Sequence, residues 1–308
     1  MTKSASINGA QLKALVISST RRFVSLLSDH NEVIQATTSA RTLEVSVGDR
    51  VIYEAREEDN FITAIEPRKN ELIRSYRNEQ KVMAANLDRI FAVTAVGQAF
   101  NALFLDRLLA VAYSQAIPCS ILVNKIDQGV DETKKFIELY QNLGFSVYCI
   151  SAKFGIDLEP LTEIIESSDI EIAALIGVSG VGKSTLLNRY VPDARSRTQE
   201  VNERTGLGRQ TTTQALAHIY RRKNGRRFLF VDMPGLQSFG VAHLTAEHIA
   251  QSFPEIQRRV GMCEFSDCGH VREKVCAIRQ AAEEGEIAQS RYMSYVKMIE
   301  EIEADKEY

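Results

Sequence analysis

The hydrophobic and polar positions of this chain change period along its length. Up to about residue 82, apolar residues fall in short runs broken by turn residues. Ala14–Ile17, Phe23–Leu27, Arg41–Val45, Arg50–Ala55 and Phe61–Ile65 each read as a strand, with turns at Ser28–Asn31 and Val47–Asp49. Short strands at this spacing predict a small β-barrel; an OB-fold fits the size best, with another small barrel as the alternative. From about residue 83 strands alternate with helices. Ile90–Val96, Cys119–Val123, Ser146–Ile150 and Ile172–Ile176 read as strands. Residues 102–115, 131–143 and Leu158–Ile165 read as helices, the first with Leu103, Leu105, Leu108 and Leu109 as core positions. This series predicts a mostly parallel sheet with helices on both faces and a ligand site at the carboxyl ends of its strands. Ala215–Arg222 and Arg226–Asp232 flank Lys223-Asn224-Gly225, a strong hairpin signal. Residues 277–308 read as an amphipathic helical tail with Ile287, Tyr295, Ile299 and Ile302 on one side. Its acidic polar face suits packing on a neighbouring module rather than on a membrane.

Within this frame, Gly177-Val178-Ser179-Gly180-Val181-Gly182-Lys183-Ser184-Thr185 stands between a strand and a helix. G-x-x-x-x-G-K-S in that setting is a phosphate-binding loop. Its glycines let backbone N–H groups wrap a phosphate ahead of a positive helix end. Lys183 is expected to reach the β- and γ-phosphates, and the Ser184 hydroxyl to ligate Mg²⁺. Asn124-Lys125-Ile126-Asp127 stands at another strand end, where an aspartate can accept from guanine N1–H and N2–H₂. Adenine would leave that carboxylate unpaired, a mismatch worth roughly 10⁴-fold. Asn124 is expected to brace neighbouring loops and Lys125 to lie along the base, while Ser151-Ala152-Lys153 offers the Ala152 N–H to guanine O6. The polar stretch Pro192–Gln210 reads as a switch loop ending in Thr211-Thr212-Thr213. Thr212 is preferred over Thr211 as a further Mg²⁺ ligand, although spacing does not decide between them. Asp232-Met233-Pro234-Gly235 closes the set, with Asp232 holding Mg²⁺ through water and the Gly235 N–H contacting the γ-phosphate.

Cys263-x₄-Cys268-x-His270-x₅-Cys276 offers three thiolates and an imidazole, a closed tetrahedral set that suits a structural Zn²⁺. The other two cysteines, Cys119 and Cys149, lie in predicted strands and read as packing residues. With 37 basic and 40 acidic residues the net charge is -3, which argues against a wholly basic nucleic-acid binder. The hairpin tip (Arg221, Arg222, Lys223, Arg226, Arg227) is basic and can touch RNA phosphate, but a solvated turn fits it better. No apolar run is long enough to span a membrane, and the N-terminus lacks a signal-peptide core. The expectation is a cytoplasmic monomer with neither membrane nor DNA as partner.

The base-reading pair (124–127, 151–153) precedes the phosphate loop and the switches, whereas ordinary GTPases run in the other order. The cyclic order is the same, so the site can be the same with the chain cut elsewhere. The permuted order, the barrel and the Cys/His signature together resemble the ribosome small subunit-dependent GTPase A family over nearly the whole chain. Val47–Val51, Pro67–Asn70, Leu105–Leu108 and Gly206–Thr213 fit it as well. The resemblance implies a multidomain protein. Its parts are an all-β OB-like barrel (1–82), an α/β circularly permuted P-loop GTPase domain (83–258) and a mostly helical zinc-binding domain (259–308). It implies a cytoplasmic GTPase that binds the small ribosomal subunit, is stimulated by it, and assists its late maturation through contacts with rRNA. There is one departure: the family's Gly-Arg-His-Thr-Thr histidine is Gln210 here. Leu236, where many GTPases keep a water-orienting glutamine, has no hydrogen-bonding group. Gln210 either positions the attacking water or is a solvated switch residue. Two other functions stay open from the residues alone: a metabolic phosphotransferase, and a nucleotide-dependent RNA-binding adaptor with negligible hydrolysis.

Overall fold

The computed structural model describes residues 11–20, 23–38, 43–56, 59–76, 79–192, 194, 215–233 and 239–306. The N-terminal part is a closed barrel of β1 (Gln11–Ser19), β2 (Val24–Ser28), β3 (Val33–Thr38), β4 (Arg50–Ala55) and β5 (Asn60–Ile65). They follow the order β1-β2-β3-β5-β4, and β4 pairs back onto β1. Val16, Leu26, Val51, Tyr53 and Ile62 fill its interior. β1 is covered on both faces, because Leu15 and Ile17 belong to the neighbouring core. That is why Ala14–Ile17 reads as an unbroken apolar run rather than an alternation.

One sequence expectation fails here, and one hairpin goes unpredicted. No strand covers Leu43–Val45; residues 41 and 42 lie outside the described residues, and the third barrel strand is β3. Only Ala36 of β3 is buried, so its own pattern is weak, and pairing with β2 and β5 supplies the signal that the local sequence lacks. Leu43 and Val45 instead pack against the barrel core from a loop. The hairpin of β6 (Glu71–Tyr76) and β7 (Glu79–Ala85) was not anticipated. Gly48 makes the barrel's approach to it possible: at φ +92°, a Cβ there would lie 2.0 Å from the Ala85 carbonyl oxygen. The junction is locked by Arg68, whose guanidinium grips the fully buried Asp49 carboxylate at 2.7 and 2.8 Å.

The central sheet follows the order β10-β9-β8-β11-β13-β12. It comprises β8 (Arg89–Ala95), β9 (Cys119–Asn124), β10 (Ser146–Cys149), β11 (Ile172–Ile176), β12 (Leu216–Arg221) and β13 (Arg227–Asp232), all parallel except β12. A single pair, Ser18 with Leu216, joins it to the barrel. Side chains of β11 alternate between two cores: Ile172, Ala174 and Ile176 face one, Ala173 and Leu175 the other. Helices α1 (Ala102–Ser114) and α2 (Asp131–Asn142) cover the first face; α3 (Glu159–Glu166) and α4 (Lys183–Tyr190) cover the second. Leu105, Leu108 and Leu109 are buried as expected, but Leu103 is only half-buried and Phe104 joins the core in its place.

The chain continues through α5 (Ala246–Gln251), α6 (Pro254–Gln257), α7 (Ala277–Glu283) and α8 (Gln289–Lys306). The tail expected to be one helix is two, broken at Gly285 with φ +80°. Ile287, Tyr295, Ile299 and Ile302 are all buried, and α8 packs on α1, α5 and α7. At that contact Arg291 is buried. It pairs with the buried Asp106 of α1 and, at 2.7 Å, with Glu255 of α6, and its guanidinium lies 4.0 Å from the centre of the Phe253 ring. Breaking a buried pair from one side strands its partners. Arg291→Met should therefore destabilise the protein by about 3–5 kcal/mol in urea unfolding, and a loss near zero would show that the ion pairs contribute nothing net.

Candidate nucleotide site and metal centre

Strands β10, β9, β8, β11 and β13 are successive neighbours, and the parallel ones end at the same edge of the sheet. Three loops emerge there, and Asn124 joins them. Its Nδ2 donates to the Val181 carbonyl of the phosphate loop, and its Oδ1 accepts the Ala152 N–H, both at 2.9 Å. The side chain is only 2% exposed, so neither bond competes with bulk water. The bracing role expected of Asn124 is thus seen as geometry. The Ala152 N–H, assigned to guanine O6 from the sequence, is here given to Asn124. Asp127 is exposed, and the buried Ser151 hydroxyl donates to its Oδ1 at 2.5 Å, holding the carboxylate in place. Lys125 sits at φ 65°, which turns the chain sharply between β9 and Ile126–Asp127. Lys153 is exposed, with its ammonium 5.0 Å from the Phe154 ring centre.

The phosphate loop leaves β11 at Gly177, where a Cβ would meet the Val93 carbonyl oxygen at 2.1 Å. At Gly182 a Cβ would lie 2.3 Å from Asn124 Nδ2, and φ is +97°. Lys183 Nζ donates to the Gly177 and Val178 carbonyls at 2.8 and 3.1 Å. Ser179, Gly180 and Ser184 are exposed, while Val181 is buried and Val178 and Thr185 are half-buried. Asp232 ends β13 opposite Leu175 of β11. Its Oδ1 is buried and has no hydrogen-bond partner among the described residues. Burial raises the Asp232 carboxyl to about 6, against the opposing pull of Lys183. Burial likewise lowers the Lys183 ammonium, with Asp232 opposing. The two charges are close enough to feel each other, yet no salt bridge joins them among the described residues. Gln210, Thr211, Thr212, Gly235 and Leu236 lie outside the described residues.

The second cluster is built on a knuckle ahead of α7. Cys263 Sγ lies 3.4 Å from His270 Nδ1 and 3.8 Å from Cys276 Sγ, and Cys276 Sγ lies 3.6 Å from His270 Nδ1. Ligand atoms of Cys263, Cys268, His270 and Cys276 all lie within 4.8 Å of one another. A tetrahedral Zn²⁺ with ordinary Zn–S and Zn–N lengths requires S···S near ~3.8 Å and S···N near ~3.6 Å, so the donor set fits that ion. The supporting bonds come from α8, where the Tyr292 and Tyr295 hydroxyls donate to the His270 and Gly269 carbonyls at 3.0 and 3.3 Å. Cys119 and Cys149 are half-buried, and burial pushes both thiols up, Cys119 to about 12, so neither is a nucleophile.

Some functional positions escaped the sequence reading. Asp88 Oδ2 accepts from the Glu171 and Ile172 N–H groups at 2.6 and 2.8 Å, fixing the start of β11. Of the basic hairpin tip, Arg222 is buried and bonds the Ile165 and Ile170 carbonyls. Arg227 pairs with Glu171, which leaves Arg221, Lys223 and Arg226 exposed. A long cation beside an apolar strand is the only local cue to these roles.

The family model described as RsgA GTPase matches residues 65–242. The protein named small ribosomal subunit biogenesis GTPase RsgA from Haemophilus influenzae is 35% identical over 289 residues, covering 91% of this chain and 82% of that protein. Its namesake from Actinobacillus pleuropneumoniae is 33% identical over 302 residues, covering 95% and 86%. Among solved structures, YjeQ from Thermotoga maritima superposes with a TM-score of 0.68 at 30% identity, covering 95% of this chain and 98% of that one. YloQ, titled a circularly permuted GTPase, gives 0.66 at 26%, covering 98% of both.

The buried Asp232 makes a pH prediction. Its carboxyl is raised from 3.8 to about 6, so the ionised form costs stability at neutral pH and the neutral form does not. Without nucleotide or magnesium, Asp232→Asn should stabilise the protein at pH 8 by up to about 3 kcal/mol. That gain should shrink as pH falls below 6. Unfolding curves of both proteins from pH 8 to 5 check this; a gain independent of pH would place the charge elsewhere.

Proposed function

The chain belongs to the RsgA GTPase family, and on that premise we propose that it hydrolyses GTP to GDP and phosphate in the service of small ribosomal subunit maturation. The observation that carries the reading is the Asn124 amide, which holds a guanine-type loop, its Ser-Ala-Lys companion and a phosphate loop at one sheet edge. Neither a metabolic phosphotransferase nor a non-hydrolysing adaptor is favoured by the family membership.

In this reading Asp127 accepts from guanine, with Ser151 holding its carboxylate. Lys125 and Lys153 flank the base, and the N–H groups from Val178 to Thr185 surround the phosphates. Lys183 has three N–H donors and uses two on loop carbonyls, leaving one for a phosphate oxygen. A phosphate there also relieves the buried ammonium, which now has only carbonyl dipoles and a distant carboxylate. Ser184, Thr212 and Asp232 would hold Mg²⁺, and the unpartnered Asp232 Oδ1 suits a metal-bound water. When bound, the ion neutralises charge on the β- and γ-phosphates. Water attacks the γ-phosphorus in line, and charge on the transferring group is met by Lys183, the loop amides and the Gly235 N–H. Gln210 orients the water, its carbonyl accepting from water while its NH₂ donates to phosphate.

The rest of the reading follows the same division. Residues 1–82 serve as a barrel arm, 83–258 as the nucleotide domain and 259–308 as a zinc-held module, with barrel and module contacting rRNA. The Cys263, Cys268, His270 and Cys276 set holds one Zn²⁺, which can supply about 10–16 kcal/mol toward ordering its segment. No helix among the described residues is long and apolar enough to cross a membrane. The protein is read as a cytoplasmic monomer that acts on neither membrane nor DNA.

GTP hydrolysis measured with and without small ribosomal subunits tests the function, and no stimulation would overturn it. Gln210→Ala should lower the stimulated kcat at least about tenfold, equal to about 1.4 kcal/mol of activation barrier, with little change in GTP affinity. An unchanged kcat would make Gln210 a solvated switch residue. Metal analysis should find one zinc per chain, lost in Cys268→Ser while GDP affinity stays within about twofold, since the two sites share no ligand.

A further inference from the structure

The loop that carries Ser151-Ala152-Lys153 continues into Phe154, a large apolar side chain that is 56% exposed. The loop itself is firmly placed. Ser151 and Ile156 exchange backbone hydrogen bonds at 3.1 Å, and the Gly155 N–H returns to the Ser151 carbonyl at 2.8 Å. From α4, the Arg189 guanidinium lies against Gly155, where φ is +72° and a Cβ would come within 1.9 Å of Nη2. The Ser151 hydroxyl, which donates to Asp127 Oδ1, also accepts the Phe154 N–H at 3.4 Å. One hydroxyl thus separates residue 154 from the carboxylate assigned to guanine. The Phe154 ring in turn carries the Lys153 ammonium, 5.0 Å from its centre. Lys153 makes no ion pair and no side-chain hydrogen bond among the described residues, so the ring is what its ammonium rests on.

We propose that Phe154 is a positioning residue for the guanine base, acting through Lys153. The negative face of its ring holds the ammonium at the base end of the site. The proposal rests on the GTPase reading above, in which Lys153 flanks the base. The physical argument is one of side-chain entropy. An exposed lysine samples many rotamers, and fixing it when the base arrives costs conformational freedom. A ring that already holds the cation removes part of that cost before binding. Lys125, the other lysine read as flanking the base, has no such ring contact among the described residues. The phosphates occupy the far end of the nucleotide, so GDP and GTP should depend on the ring equally. Phe154 adds little to the core, so removing its ring should spare the fold.

The test uses full-length, zinc-loaded protein and measures affinity for GDP and for a non-hydrolysable GTP analogue. Phe154→Ala should weaken both by about threefold to fivefold, the size of an exposed cation–π contact, with its urea midpoint unchanged. Phe154→Tyr should keep wild-type affinity, whereas Phe154→Leu, apolar but without a π face, should match the Ala variant. Fluorinated phenylalanines at position 154 keep the shape of the ring and drain its negative face, so affinity should fall stepwise with each fluorine. In a Lys153→Met background, Phe154→Ala should cost almost nothing further. Wild-type affinity in Phe154→Ala, full rescue by Leu, a flat fluorine series, an additive double variant, or a loss confined to the GTP analogue would each overturn the proposal. The chain has no tryptophan, so Phe154→Trp supplies one indole beside the site. Its emission should change as GDP saturates and stay constant with ADP; an indole blind to GDP would also overturn the assignment. A wild type that binds GDP but does not hydrolyse GTP with small ribosomal subunits would overturn the GTPase reading alone, and the fluorine series would still decide the role of Phe154.

Discussion

A single buried amide constrains the nucleotide site. Asn124 gives its NH₂ to the phosphate loop and takes an N–H from the Ser151–Lys153 loop, and it stands itself at the end of β9 where a third loop begins. Leaving either partner unmatched in that buried setting would cost about 1–3 kcal/mol, so the three loops are correct together or strained together. The same amide explains Gly182, since any Cβ there would strike Nδ2. It also explains why a permuted chain can build the site. The amide fixes spatial neighbours, and which loop comes first along the chain has no effect on its two hydrogen bonds.

Two buried charge clusters in this protein differ in whether opposite charges meet directly. Around Arg291, each charge faces partners of opposite sign, a guanidinium stacks on Phe253, and the cluster joins α1, α6 and α8. Around Lys183 and Asp232 the compensation is incomplete: the ammonium leans on carbonyls, one carboxylate oxygen has no partner among the described residues, and burial shifts both groups toward their neutral forms. In the first cluster the guanidinium meets two carboxylates directly and the ion pairs hold parts of the fold together, although Asp106 Oδ2 has no hydrogen-bond partner among the described residues and burial raises its carboxyl. The second is unmatched in a manner that a phosphate and a divalent cation would satisfy, which is what a binding site requires.

The parts of the molecule are joined by polar contacts more than by continuous sheet. One residue pair links barrel and central sheet. Glu171, at the foot of β11, takes Arg50 from the barrel at 2.7 Å and Arg227 from β13 at 3.1 Å, and Arg227 also donates to the Ser28 carbonyl at 3.1 Å. Past β13 the described chain runs on through α5 and α6 to the Cys/His knuckle. Tyr292 and Tyr295 of α8 hold that knuckle's carbonyls, while Arg291 of the same helix grips α1 and α6 and Glu301 takes the Val241 N–H. One helix thus serves both neighbours.

Local chemistry was legible wherever a motif carries its own mechanism. Gly177–Ser184, Asn124–Asp127, Ser151–Lys153 and the Cys/His spacing could be read without a structure because turn, donor and ligand requirements act over a few residues. Strands β8, β9 and β11 were equally plain, since buried parallel strands are largely apolar. β3 was not legible, because its side chains are mostly exposed and only its hydrogen bonds to β2 and β5 make it a strand. Leu103 and Phe104 exchanged places for a related reason, as helical spacing sets a stripe and the neighbouring surface decides its edge. Nothing in their local sequence sets Arg222, Arg227, Asp88, Arg291 and Glu301 apart from ordinary surface charges. Their partners lie between 36 and 185 residues away for the recorded contacts of Arg291 alone, and no local pattern encodes such a pairing. Sequence by itself determined which chemistry the chain can carry, because those requirements are short-range. Tertiary structure decided which charges are buried, what they face, and how one carboxylate in the last helix comes to accept the Val241 N–H, because burial and long-range pairing exist only once the elements have packed.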